Sequence, residues 1–171
     1  MKLTLECYDC LRRLTCQAAN LATDNTSLKQ KAMEEATKVL DNEFSYNEIS
    51  IVIATKIHKV IKGITRNPDP YWMMKEKEIA IARELYPELS LRAKRSNLYK
   101  NDFSNYLKLA AAGNAIDFFR ESSTIREDMK KPVNFVIDDS ECFEAKLKGA
   151  SKVLYLADNV GEIYFDLPLV K

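Results

Sequence analysis

Residues 152–162 read Lys152-Val153-Leu154-Tyr155-Leu156-Ala157-Asp158-Asn159-Val160-Gly161-Glu162. The first six form a short apolar run rich in strand formers, and the last five are turn-forming and polar. The pattern predicts a buried strand over 152–157 that ends in a turn and enters a new helix. A buried strand cannot stand alone, because its backbone N–H and C=O groups need neighbouring strands. The sequence ends at Lys171, inside that next helix. The expectation is therefore the front part of a longer protein: a mainly α chain, helical over residues 1–131, with the start of an α/β domain over 132–171.

Upstream of this stretch the chain reads as helices. Four glycines and five prolines in 171 residues leave few interruptions. Leu11, Leu14, Ala18 and Leu21 recur at helical spacing over 4–22. Ser27 can cap a second helix running to about Asn42, with Met33, Ala36, Val39 and Leu40 as its stripe. Ser45 and Glu48 have the capping-box spacing, ahead of a broad apolar face from Ile49 to Ile64. Pro68 and Pro70 make 66–70 a loop. A helix from Pro70 is expected to stop at Pro87, with 88–101 irregular or a short helix. Another helix is expected over 102–120, started by Asn101 or Asp102.

Charge narrows the function classes. Lys and Arg total 26 and Asp and Glu total 25, so the net charge is +1 with the single His neutral. That balance argues against a nucleic-acid partner, which would need a strong basic excess. The group Arg92, Lys94, Arg95 and Lys100 near Tyr99 reads as solvated surface. No run approaches the ~18 apolar residues of a membrane span. Glu6 and Asp9 interrupt any signal-peptide core. Four cysteines are too few for a disulfide scaffold of this length, which points to reduced thiols and a cytoplasmic location.

Asp158 and Asn159 offer adjacent hard oxygen ligands suited to Mg²⁺ or Mn²⁺, at a strand-to-helix junction where open α/β sheets bind ligands. Gly161 would let backbone approach a ligand, and the helix N-terminus behind it presents N–H groups to a phosphate. The same pair also fits a plain turn and helix cap. On the 102–120 helix, Asn114 falls within the arc of Phe103, Leu107, Ala110 and Phe118, and Asp117 falls at its edge, so both point into the apolar face. Two polar groups on a buried face are either a clamp on a neighbouring loop or the lining of a site, with Gly113 beside them for close packing. Cys7 and Cys10 form a lone CxxC, able to share a metal, form a strained disulfide or simply be partly buried thiols. His58 lies opposite its helix's apolar stripe and reads as exposed. There is no nucleophile elbow and no phosphate-cradling glycine loop, which leaves carboxylate–metal chemistry.

Taken in order, Cys7-x-x-Cys10, Asp69-Pro70-Tyr71 with Lys75, Gly113-Asn114-x-x-Asp117 and Asp158-Asn159-x-Gly161-Glu162 resemble the metal-dependent damage-control phosphatases. The match is closest to their stand-alone archaeal and bacterial branch, which carries the CxxC. The resemblance implies a helical N-terminal domain packed on a Rossmann-like α/β domain, with the active site between them. It implies a phosphatase of small phosphometabolites, sugar phosphates or damaged phosphorylated metabolites, that uses Mn²⁺, Ni²⁺, Co²⁺ or Mg²⁺. Asp158 and Asn159 would hold the metal and, with Glu162, form the catalytic group; Asn114, Asp117 and Gly161 would face substrate. A further metal-binding aspartate and a phosphate-contacting lysine lie later in the family's chain. A homo-oligomer is compatible with this reading. The alternative is a non-catalytic helical module whose Cys7 and Cys10 bind a second metal or sense redox state; where metal binds separates the two.

Overall fold

The computed structural model describes residues 3–95, 102–117 and 120–171. Eight helices appear among the described residues. The chain divides into two compact units, Met1–Met73 and Met74–Lys171.

The first unit packs three helices: α1 (Leu5–Ala22), α2 (Thr26–Glu43) and α3 (Ser50–Thr65). Each presents a narrow stripe to one core: Leu11, Ala18 and Ala22; Ala32, Ala36 and Leu40; Ile53, Ile57 and Ile61. Alanines on α1 and α2 let the backbones approach, and the isoleucines of α3 fill the space between. The α3 face is narrower than its sequence suggests, since Ile49 and Val52 are exposed. Ser45 starts a turn in place of the helix: Asn47 N–H donates to its Oγ and Glu48 N–H to its carbonyl. Likewise Asn25, not Ser27, caps α2, accepting from Leu28 N–H at 3.0 Å.

His58 is half-buried rather than solvated. Its Nδ1 lies 2.8 Å from the Ala54 carbonyl and its Nε2 lies 3.1 Å from the Tyr71 hydroxyl. A carbonyl only accepts, so Nδ1 carries a proton toward Ala54, and Nε2 pairs with the Tyr71 hydroxyl. The 66–70 loop is tied locally: Asn67 Nδ2 donates to Ala22 O, and the Asp69 carboxylate accepts from Tyr71 N–H.

The second unit is built on α4 (Trp72–Arg95), whose first turn contains the division between units. Helices α5 (Asp102–Gly113), α6 (Ser122–Met129) and α8 (Ile163–Val170) share a core with it, and α7 (Ser140–Lys148) lies against α5. Pro87 does not end α4 but lies inside it. Proline removes one backbone bond and crowds the preceding turn, yet Ile81, Leu85 and Leu89 remain buried along one face spanning it. That continuous burial offsets the lost bond. Arg126 of α6 grips Glu84 of α4 with two bonds, at 2.8 and 2.7 Å.

Helix α5 ends at Gly113, seven residues before the expected end. Ala115 N–H and Ile116 N–H then close tight turns onto Ala112 O and Gly113 O. The early stop puts Asn114 on the surface, not on a buried face, with its Nδ2 only turning back to Ala110 O at 3.4 Å. The expected close packing at Gly113 is present: a Cβ there would meet Phe165 Cβ at 3.1 Å. Phe165 is fully buried and seats α8 on α5. Helices α6 and α7 had no counterpart in the sequence reading. Phe118, Tyr99, Lys100 and Asn101 lie outside the described residues.

The strand expected over 152–157 does not form, and no strand ladder occurs among the described residues. Leu154 is 84% and Leu156 81% exposed. The segment is apolar, but among the described residues no strand lies alongside to take its backbone bonds. The mainly α expectation therefore holds, and no Rossmann-like strand appears among the described residues. No described helix is long and apolar enough to cross a membrane.

Candidate functional site

The turn at 158–162 is held by its own side chains and by the end of α5. Asn159 Nδ2 donates to Glu162 Oε1 at 2.8 Å and to the Ile116 carbonyl at 3.3 Å. With both amide protons so used, Asn159 keeps its Oδ1 as an acceptor. Gly161 is buried beneath this turn. A Cβ on it would meet Ile116 Cγ2 at 2.7 Å and the Glu78 Cβ and carbonyl at 3.3 Å. Its role is thus close packing against α4 and the post-α5 turn.

Gly161→Ala is therefore expected to destabilise the second unit by about 1–3 kcal/mol, the usual cost of overpacking. Chemical denaturation of the two proteins measures it; an unchanged midpoint would show that Ile116 yields freely.

Four carboxylates gather around this turn. Glu162 and Asp166 are buried, Asp117 is half-buried and Asp158 is exposed. The Glu162 carboxyl is raised above the ordinary glutamate range. Burial is the main cause; the Asn159 amide opposes it, and the charges of Asp158, Asp166 and Asp117 reinforce it. Tyr155 belongs to the same group. Its hydroxyl is pushed up to about 12, first by desolvation, then by its hydrogen bond to Asp166 and the charges of Asp166 and Glu162. It therefore stays protonated at neutral pH, beside the Asp166 carboxylate.

The structure thus brings Asp117, Asp158, Asn159, Gly161 and Glu162 together, and leaves Asn114 facing solvent. Asp166 and Tyr155 were missed. The available signal for Asp166 was spacing: Asp158, Glu162 and Asp166 follow one another at four-residue intervals. Tyr155 carried no signal, since it read as strand core.

Among the described residues no three His, Cys, Asp or Glu side chains converge as a ready-made metal cage. The donor chemistry nevertheless fits a hard divalent cation. Asp158, Glu162 and Asp166 form no ion pair among the described residues. Carboxylate and amide oxygens are the ligands that Mg²⁺ and Mn²⁺ prefer. Asp158 and the Asn159 Oδ1 are the groups best exposed to hold one.

The raised Glu162 carboxyl has a direct consequence in metal-free protein. Its protonated form is favoured by folding, so its stabilising share is complete below the ordinary glutamate pKa of about 4.3. That share is lost as pH rises through the raised folded value. Glu162→Gln, neutral throughout, is expected to gain on the wild type in melting temperature as pH climbs through this window. Thermal melts in chelator at several pH values test this; a constant difference would contradict it.

Cys7 and Cys10 sit in the other unit, at the start of α1, and both are free thiols. Cys7 Sγ accepts from Thr4 N–H at 3.4 Å and lies 3.3 Å from Thr4 Oγ1. These bonds, the hydroxyl's first, pull its thiol pKa down. Cys7 thus helps to cap α1, while Cys10 is exposed.

Comparison with known proteins bears on this geometry. The family model described as the damage-control phosphatase ARMT1-like domain matches residues 3–171. A damage-control phosphatase of Pyrococcus horikoshii is 31% identical over 175 residues, covering 100% of this chain and 59% of that protein. A damage-control phosphatase of Archaeoglobus fulgidus is 28% identical over 176 residues, covering 100% of this chain and 60% of its own. The crystal structure of a DUF89 family protein from Pyrococcus horikoshii aligns with a TM-score of 0.79 at 30% identity, covering 99% of this chain and 59% of that one. The chain therefore spans about three-fifths of the length of these relatives.

Proposed function

The chain belongs to the damage-control phosphatase ARMT1-like domain family, and from that premise we propose that it serves a divalent-metal-dependent phosphatase acting on small phosphorylated metabolites. The observation that carries the reading is the carboxylate cluster around Asn159. A phosphate ester is an anion and would be repelled by Asp117, Asp158, Glu162 and Asp166 unless a cation stood between.

In this reading Asp158 and Asn159 hold the metal, drawn from Mn²⁺, Ni²⁺, Co²⁺ or Mg²⁺. When bound, such an ion neutralises charge on phosphate oxygens and lowers the pKa of water, which suits the hydrolysis of esters that react very slowly unaided. The protein's own groups do the rest. The Asn159 amide fixes the Glu162 carboxylate at 2.8 Å. Glu162, its carboxyl raised above the ordinary glutamate range by burial and the neighbouring acids, is proposed to take up a proton and return it. The Tyr155 hydroxyl stays protonated beside Asp166. Gly161 keeps the turn close to Ile116 and Glu78. Asp117 is proposed to face substrate hydroxyls; Asn114 reaches substrate only from the solvent side.

The test is phosphate release from a panel of sugar phosphates and other small phosphate esters, with chelator and with each metal added back. Release that requires a metal is expected. Hydrolysis insensitive to chelator, or none with any metal and ester, would remove this reading.

A further inference from the structure

The second unit contains another pocket, of about 260 Å³, that shares no lining residue with the acidic cluster. It is smaller than the ~300–1,000 Å³ typical of drug-sized ligands. Its wall combines two kinds of surface. Leu89, Leu109, Met129 and Val133 supply an apolar floor, and Arg92, Lys108 and Lys131 supply positive charge. Among the described residues no carboxylate belongs to the lining.

Asn105 is the second observation. It lines the pocket, is 8% exposed, and its Nδ2 has no acceptor among the described residues. A buried amide donor without an acceptor is costly, and such groups in folded proteins call for an explanation. Asn105 and Lys108 lie three residues apart on α5, hence on the same face. The cations are not equally engaged. Lys131 Nζ pairs with Asp128 at 2.6 Å, and Arg92 Nη1 donates to the Lys130 carbonyl at 3.2 Å. Lys108 has no ion pair among the described residues; the acid whose charge it influences is the exposed Asp138.

We propose that this pocket binds a small organic anion: an oxyanion head taken by Lys108, Arg92 and the Asn105 amide, carrying a short apolar body against Leu89, Leu109 and Met129. A cation would meet three like charges here. A neutral apolar molecule would leave the Asn105 donor unmet. The proposal is independent of the phosphatase reading, since it uses none of that site's residues.

Phenylphosphonate is a suitable probe, because its C–P bond is not a phosphate ester and it carries a flat apolar body. Titrated into the ¹⁵N-labelled full chain, it is expected to shift the Asn105 side-chain amide and the Ala112 backbone amide saturably at millimolar concentration. Lys108→Gln, a change at a half-exposed position, is expected to weaken binding about tenfold with an unchanged melting temperature. Asn105→Leu is expected to weaken it as well, and Asp158→Ala to leave it intact. Benzyl alcohol, similar in shape but neutral, is expected not to saturate. The proposal is overturned by the absence of a saturable shift, by undiminished binding in Lys108→Gln, by benzyl alcohol binding as tightly, or by loss of the shift in Asp158→Ala.

Discussion

Asp158→Ala is expected to lower metal-stimulated phosphate release by about a hundredfold or more. Changing a partner that merely supports a metal ligand typically costs about 10–100-fold, and Asp158 is proposed as a ligand itself. Its exposure separates this effect from folding. Asp158 is solvent-facing with no ion pair among the described residues, so its loss should leave the melting temperature of metal-free protein nearly unchanged. The loss should appear equally as weaker stabilisation by Mn²⁺, because a ligand that binds only the folded state raises its stability with affinity. Activity within twofold of wild type at saturating metal would take Asp158 out of the metal site.

Phe165→Ala is expected to cost about 3–5 kcal/mol, the usual range for truncating a fully buried aromatic. Phe165 is 0% exposed. It touches Gly113 from one side and stacks edge-on to Tyr86 from another, with ring centroids 5.7 Å apart. Little can move in to fill the space, because Gly113 has no side chain to extend. In a unit of this size the loss corresponds to a melting temperature lower by more than about 10 °C. A fall of less than ~1 kcal/mol would mean that the α5–α8 seam collapses around the cavity.

The sequence made some of this legible and hid the rest for identifiable reasons. Helix α1 was readable because Leu11 and Ala18 repeat at helical spacing and both are buried. The run of α4 through Pro87 was not, because local rules price the proline but not the burial of Leu85 and Leu89 around it. The end of α5 was announced by Gly113-Asn114, a usual helix terminus. Extending the apolar arc to Phe118 obscured it and turned Asn114 inward. Residues 152–157 show the opposite failure. Their strand-forming composition is real, but composition specifies only half of a ladder, and no described segment supplies the other half. In the site, Asp158, Asn159 and Glu162 were legible as hard donors at a turn, while Tyr155 was hidden by that same strand reading. Asp166 was found only once α8 placed it one turn beyond Glu162.

The wedge at Gly161 also limits how this protein can diversify. Three distant parts of the chain, around Glu78, Ile116 and Gly161, meet at separations that leave no room for one added carbon. An insertion in the 158–162 turn, or a bulkier neighbour at Ile116, would have to displace α4 backbone before it could reshape the acidic cluster. New specificity would therefore arise more readily from segments that merely face the turn. Among homologues, the lengths of those facing segments should vary while the turn itself keeps its length.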